Sequence, residues 1–166
     1  KVDILKVNTS NGAVSKLISE TDNAWIETDG MTLEFLDDNS FLWASERSGF
    51  RHLYWFDAKG NLKKPITKGN WEITDYYGFN PKTKEVFIQT TEKGSLNKVV
   101  SKVNISNGKM TLLSQAEGNN RADFSKNYQY FIETSSTANK PNVYTLKDGS
   151  GKSLKELQNN DALLSK

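Results

Sequence analysis

Short stretches of apolar residues recur along the whole chain, separated by turn-forming residues. The stretches are rich in Val, Ile, Phe, Tyr, Trp and Thr, and Gly, Asn, Asp and Ser stand between them. Such runs are typical of short β-strands joined by tight connections, and no long helical periodicity competes with them. The pattern therefore predicts an all-β protein.

One hairpin pattern occurs four times. Each copy has an apolar strand, a turn that ends in glycine and a second strand, and the final glycines are Gly12, Gly60, Gly108 and Gly151. Two of these turns read Asn-Gly, a pair that tolerates positive φ and favours a hairpin. The closing strands are predicted over residues 14–18, 62–67, 109–113 and 153–157.

A second series repeats with a similar period. Phe35, Phe79 and Phe124 each end an apolar stretch, and a polar turn and a strongly apolar strand follow each of them. Combining the two series gives four strands per repeat, which in the clearest copy are residues 31–36, 41–45, 51–56 and 62–67. Four strands in roughly 45 residues is the size of one β-propeller blade.

The predicted fold is therefore a partial β-propeller of four-stranded antiparallel blades, with three blades plus two strands of another. The second strand of each blade is nearly all apolar, which predicts that neighbouring blades cover both of its faces. A β-sandwich is the competing architecture, but it does not require this period. The predicted divisions are the outer two strands of a blade at 1–20, blades at 21–68, 69–115 and 116–157, and a linker at 158–166.

Charge and composition exclude several classes of function. Lys plus Arg is 22 and Asp plus Glu is 20 among 166 residues, so a net charge of +2 gives no electrostatic footprint for nucleic acid. The absence of cysteine excludes disulfides, zinc–thiolate sites and a cysteine nucleophile. No apolar run approaches the roughly 20 residues of a membrane span, and any targeting segment is expected to lie outside this sequence.

Residues for catalysis are sparse. His52 is the sole histidine, and strand alternation places it opposite Arg51 and Leu53, as a structural residue rather than a member of a triad. No Gly-x-Ser-x-Gly nucleophile elbow occurs. Asp37 and Asp38 stand in a turn, where Asp bonds its local backbone. We therefore predict no catalytic, cofactor-binding or metal-binding residue in this chain.

The aromatic and charged side chains leave two interpretations open. Trp25 and Trp71 occupy similar places in successive repeats, so packing between blades is favoured over stacking on sugars. Glu46, Arg47 and Arg51 suit either a polar site at a blade edge or simple salt bridges in a turn.

Several stretches resemble the propeller domain of the dipeptidyl peptidase IV family of serine exopeptidases. The stretches are Asp22-Asn-Ala-Trp-Ile-Glu27, Phe41-Leu-Trp-Ala-Ser-Glu-Arg-Ser-Gly-Phe-Arg-His-Leu-Tyr54, Ile66-Thr-Lys-Gly-Asn-Trp-Glu-Ile-Thr74, and Phe131-Ile-Glu-Thr-Ser-Ser136 with Pro141. The resemblance covers essentially the whole chain and identifies it with the last blades of that domain.

The resemblance implies that an α/β-hydrolase domain with a Ser-Asp-His triad follows the propeller. It also implies release of Xaa-Pro or Xaa-Ala dipeptides from peptide N-termini, and a periplasmic or extracellular bacterial location. The paired glutamates that hold the substrate amine in this family lie earlier in the propeller, and no adjacent Glu-Glu pair occurs here. The resemblance therefore implies no substrate-binding residue in this sequence.

Two functional hypotheses remain. The first is a non-catalytic piece of a dipeptidyl peptidase IV-like enzyme, whose propeller gates access of peptide substrate. The alternative is a free-standing propeller module that binds a protein or glycan. In either case an incomplete ring predicts a homo-oligomer, because terminal blades would expose aromatic residues such as Trp43 or Phe131. The other expected partners are the hydrolase domain and the remaining blades of the same chain.

Overall fold

The computed structural model describes residues 1–27 and 32–163, which form antiparallel strands and one short 3-10 helix, Asp161–Leu163. The strands are β1 Val2–Val7, β2 Val14–Glu20, β3 Leu33–Phe35, β4 Phe41–Ser45, β5 His52–Phe56, β6 Leu62–Pro65, β7 Ile73–Asn80, β8 Glu85–Thr90, β9 Val99–Asn104, β10 Met110–Leu112, β11 Asn119–Phe124, β12 Tyr130–Thr137, β13 Lys140–Asp148 and β14 Ser153–Gln158. No helix among these residues has the length and apolar character needed to cross a bilayer.

The strands form three four-stranded sheets and one two-stranded sheet. Strands β3 to β6, β7 to β10 and β11 to β14 each pair in chain order, and β1 pairs with β2. The predicted set of three sheets plus two further strands is confirmed. The ends of several strands differ from prediction by a few residues, as with β3, and the predicted start of that strand at Met31 lies outside the described residues.

Residues 1–66 form one compact unit with its own core. The core joins Ile18 of β2 to Phe41 and Trp43 of β4 and to Tyr54 and Phe56 of β5. The rings of Phe41 and Phe56 stack with centroids 5.3 Å apart. The two-stranded sheet therefore packs its apolar face against the sheet β3 to β6.

The second compact unit begins at Thr67. Its core joins Phe87 of β8 and Val100 of β9 to Ala122 of β11 and Phe131 of β12. Phe124 packs between the sheets, with its ring centroid 4.8 Å from Phe87 and 4.9 Å from Phe131. The sheets β7 to β10 and β11 to β14 thus bury an aromatic layer between them.

The prediction that both faces of each second strand are covered holds for β4 and nearly so for β8, and is wrong for β12. Tyr130 is 50% exposed and Ile132 is 37% exposed, because no described element of the second unit covers their face of the sheet. The expectation that Trp43 and Phe131 are exposed is also wrong, since each is buried by the neighbouring sheet. The open face of the last sheet carries Tyr130 and Ile132 instead.

Trp25 and Trp71 differ in their surroundings. Trp25 lies in the connection between β2 and β3 and is 82% exposed, so the prediction that it packs between blades is wrong. Trp71 is half-buried, and its indole covers Gly69, where a Cβ atom would lie 2.3 Å from Nε1. Similar positions in the repeat do not fix the path of a connecting loop, so of these two residues Trp71 is packed and Trp25 is not.

Because Tyr77 on β7 is largely buried, we expect the protein to lose stability at alkaline pH. Burial raises the pKa of Tyr77 from its ordinary value of 10 to about 12, and its hydroxyl oxygen accepts the N–H of Ala122 at 3.3 Å. The unfolded chain therefore loses its phenol proton first. The stabilisation is fully present below pH 10 and falls by roughly 1.4 kcal/mol per pH unit as the pH rises towards the folded pKa.

Urea unfolding followed by circular dichroism across this pH range measures that slope. Tyr77→Phe is expected to have a flatter profile than the wild type, because it removes the shifted group while keeping the ring. Identical slopes for the two proteins would contradict the assignment to Tyr77.

Candidate functional site

A polar cluster around Glu20 joins the two sheets of the first unit at one end. Glu20 is the last residue of β2, and its side chain is 9% exposed. Its Oε1 atom accepts hydrogen bonds from Trp43 Nε1 at 3.0 Å and from the guanidinium of Arg47. The β2–β3 connection and the β4–β5 loop therefore begin next to each other at this end of the first unit.

Arg47 anchors the β4–β5 loop. Its Nε donates to the hydroxyl of Ser45 at 3.1 Å, and the same oxygen accepts the backbone N–H of Arg47 at 3.2 Å. The guanidinium carbon lies 5.0 Å from the ring centre of Tyr54 and 5.1 Å from that of Phe56. Arg47 is thus held by a carboxylate, a hydroxyl and two rings, which fixes the loop that it belongs to.

The rest of the β4–β5 loop is also internally bonded. Arg51 forms an ion pair with Glu46 at 3.2 Å, and the hydroxyl of Tyr54 donates to Ser48 at 2.8 Å. Gly49 closes a turn with φ 94°, a conformation that favours glycine. Of the two interpretations left open by the sequence, salt bridges within the turn describe Glu46 and Arg51, whereas Arg47 reaches the neighbouring sheet.

This end of the first unit offers a surface rather than a pocket. The cleft between Glu20, Ile26 and Arg51 holds about 10 Å³, which is no more than one water molecule needs. Trp25 and Phe50 precede the lining residues Ile26 and Arg51 in the chain, and both are exposed. The arrangement suits contact with a larger molecule.

The residues considered for chemistry lie apart from this surface or are committed to structure. His52 is buried in β5 opposite Ser45. The carboxylate of Asp38 accepts the backbone N–H of Ser40 at 3.0 Å, and the hydroxyl of Ser40 lowers the pKa of Asp38. The local role predicted for Asp38 is confirmed. Among residues 1–27 and 32–163, no three His, Asp or Glu side chains are grouped so as to hold a metal ion.

A buried ion pair fixes the β10–β11 connection of the second unit. Lys147 Nζ on β13 lies 2.7 Å from Glu133 Oε2 on β12, and the two side chains are 6% and 1% exposed. Lys147 also donates to the carbonyl of Leu113 at 3.3 Å, and the other oxygen of Glu133 accepts the N–H of Gln115 at 3.1 Å. The pair therefore ties the start of the β10–β11 connection to the last sheet.

Asn120 holds the other end of that connection. Its buried amide donates to the carbonyls of Lys98 at 2.9 Å and Glu117 at 3.0 Å. The side chain of Gln89 donates to the carbonyl of Asn120 at 2.6 Å and accepts from Thr74 at 2.7 Å. Sequence analysis missed these residues, although charged and amide residues inside otherwise apolar strands were a signal for buried pairing.

Each of these loops is fixed by its own bonds and offers a surface for contact with another molecule. Arg47 and Arg51 of the β4–β5 loop are each paired with a carboxylate, and the pair of Lys147 and Glu133 bonds the start of the β10–β11 connection. Each loop therefore suits the positioning of a partner or a substrate.

Comparison with known proteins places these observations in a family. A sequence model described as the dipeptidyl peptidase IV N-terminal region matches residues 1–142. A dipeptidyl peptidase 4 of Trichophyton equinum is 29% identical over 176 residues, which cover 100% of this chain and 22% of that protein. One from Arthroderma otae is 31% identical over 126 residues, covering 74% of this chain and 16% of the relative.

A solved structure supports the same conclusion. The crystal structure of Porphyromonas gingivalis dipeptidyl peptidase 4 superimposes with a TM-score of 0.87 and 30% identity, over 98% of this chain and 23% of that one. The match confirms the predicted fold class, a partial β-propeller. The chain spans less than a quarter of the length of these relatives, and it belongs to the dipeptidyl peptidase IV family as part of the N-terminal region.

Proposed function

We propose that this chain is a non-catalytic part of the propeller of a serine exopeptidase that releases Xaa-Pro or Xaa-Ala dipeptides from peptide N-termini. The observation that carries the proposal is the match to the dipeptidyl peptidase IV N-terminal region over residues 1–142. The triad would be supplied by a hydrolase domain outside the sequence. This division agrees with a β4–β5 loop whose two arginines are each paired with a carboxylate.

The role of this part is to gate access to the catalytic centre. A gate that selects short peptides by size needs rigid walls, because a flexible rim would admit longer chains. The β4–β5 loop is fixed by Arg47, and the β10–β11 connection is fixed by Lys147 and Asn120. Each of these loops is a fixed wall that takes no part in bond cleavage.

The domain divisions follow from the same proposal. Residues 1–20 supply the outer strands of one blade, and three blades follow over 21–68, 69–115 and 116–157. Residues 158–166 then lead towards the hydrolase domain. The whole enzyme would act in the periplasm or outside the cell, and cell fractionation with an antibody against this chain tests that location.

Activity measurements test the assignment. The 166-residue chain is expected to leave Gly-Pro-p-nitroanilide uncleaved, whereas the product of the complete reading frame cleaves it and reacts with a serine-directed fluorophosphonate. The complete protein should also prefer short peptides to long ones with the same N-terminus. Cleavage by the repurified chain that persists in His52→Ala would contradict the proposal, and a reading frame that ends without a hydrolase domain would favour a binding module.

The isolated chain is expected to self-associate. Tyr130 and Ile132 leave one apolar face of the last sheet exposed. The opposite face of that sheet is covered by the sheet β7 to β10. In the absence of further blades, a second copy is the available cover. Sedimentation equilibrium should show dimers whose dissociation is promoted by Ile132→Lys. A strictly monomeric wild type across the accessible concentration range would refute this expectation.

A further inference from the structure

A large cleft lies in the second unit, at the end of the sheets opposite to the β10–β11 connection. It has a volume of about 790 Å³, within the range of ligand-binding clefts. Three turns surround it: the β7–β8 turn, the β11–β12 turn and the β13–β14 turn. The proposed gating function does not use this end of the sheets.

An unusual tyrosine forms part of its apolar wall. Tyr128 has φ 57° in the β11–β12 turn, whereas Asn39 and Lys84 hold the same positive φ in the β3–β4 and β7–β8 turns. Positive φ is rare for a bulky aromatic residue. The ring of Tyr128 stacks on Phe87 with centroids 4.4 Å apart and planes at 6°, and its hydroxyl occupies the space beside Gly78. The aromatic wall is thus fixed before any ligand binds.

Two of the lysine ammonium groups around the cleft have no carboxylate partner among the described residues. Lys102 is paired with Glu85 at 3.2 Å and donates to the carbonyl of Gly149 at 3.2 Å. Asp148 accepts hydrogen bonds from its own turn, and the hydroxyl of Ser150 lowers the pKa of Asp148. Lys82 and Lys126 form no ion pair among the described residues, so the cleft favours an anion.

Neutral polar side chains make up much of the remaining lining. Asn80, Asn127 and Gln129 contribute amides, with Asn127 Nδ2 donating to Gln129 Oε1 at 2.9 Å. The amide of Asn80 also reaches the carbonyl of Asn127 at 3.5 Å. Amides that bond hydroxyl groups, beside an aromatic wall and a cation, match a sugar ring that carries a carboxylate.

A peptide fits this cleft less well. Extended peptides bind by adding a strand to an unpaired sheet edge, and here the walls are turns whose backbone groups are bonded internally. The N–H of Tyr128 donates to Ser125 O, the N–H of Gly149 to Gln129 O, and the N–H of Gly151 to Asp148 O. Recognition at this end therefore falls to side chains.

We propose that the cleft between the β7–β8, β11–β12 and β13–β14 turns binds an acidic saccharide, with Lys82 and Lys126 meeting its carboxylate and the amides of Asn80 and Gln129 meeting its hydroxyl groups. This site is independent of the proposed peptidase function and lies at the other end of the second unit's sheets from the β10–β11 connection.

NMR titration of the isotope-labelled chain with D-glucuronate tests the proposal. Binding is expected with a Kd on the order of 1 mM, because one sugar unit makes few contacts. Side-chain amide signals of Asn80, Asn127 and Gln129 should shift, and D-glucose should bind at least about tenfold more weakly because it lacks the carboxylate. The affinity should fall as salt is added.

Matched lysine variants locate the site. Lys82→Gln combined with Lys126→Gln should weaken glucuronate binding about tenfold or more and leave the melting temperature unchanged, because both side chains are exposed. Lys140→Gln, which changes an exposed lysine at the opposite end of the sheets, should have no effect on binding. Equal binding of glucose and glucuronate, equal losses in the two variants, or preferential binding of an aspartate-rich peptide would each overturn the proposal.

Discussion

Lys147→Met is expected to lower the free energy of unfolding by about 3–5 kcal/mol, because it leaves a buried carboxylate without its counter-charge. Glu133 is 1% exposed, and Lys147 Nζ lies 2.7 Å from its Oε2 atom. The substitution also removes the donor to the carbonyl of Leu113. Urea unfolding of the chain, followed by circular dichroism, gives the change.

Two controls separate charge from packing. The double variant Lys147→Met with Glu133→Leu removes both charges and is expected to lie within about 1 kcal/mol of the wild type or to be more stable. Lys93→Met breaks the exposed pair with Glu92 and should cost less than about 1 kcal/mol. If Lys147→Met costs no more than Lys93→Met, the pair does not fix the β10–β11 connection in the way the geometry indicates.

The repeat pattern predicted much of the strand order, because the strands are short and the turns that join them have recognisable sequences. The bounds predicted for β4, residues 41–45, agree with the structure, since an unbroken apolar run is bounded there by polar turns. Asn107-Gly108 likewise marks the turn between β9 and β10. Local sequence was sufficient for these elements because their hydrogen bonds join residues that are near in the chain.

The contacts that fix the candidate loops of each unit required information that a local pattern does not contain. Arg47 meets Glu20 from another sheet, and Glu133 meets Lys147 only when β12 and β13 pair in the observed register. The position of Trp25 was predicted wrongly for the same reason, because the connection that carries it has no periodicity. Contacts between distant residues and the paths of loops therefore had to come from the structure.

Trp43→Ala is expected to destabilise the chain by about 3–5 kcal/mol, because it opens a cavity in the core of the first unit. The indole is 2% exposed and packs with Ile18, Phe41 and Tyr54 between the two sheets. The substitution also removes the Nε1 donor to Glu20, which leaves Arg47 to hold that carboxylate alone. Trp43→Phe keeps an aromatic ring and should have an intermediate effect.

Trp25→Ala is the matched comparison, since it deletes the same side chain from the same unit. An indole that is 82% exposed contributes little to stability, and its removal should change the free energy of unfolding by no more than about 0.5 kcal/mol. Far-UV circular dichroism in urea is the suitable probe, because each substitution removes one of the four tryptophans that dominate fluorescence. Equal costs for the two variants would mean that Trp25 packs against the protein, and the exposed surface assigned to the β2–β3 connection would then be wrong.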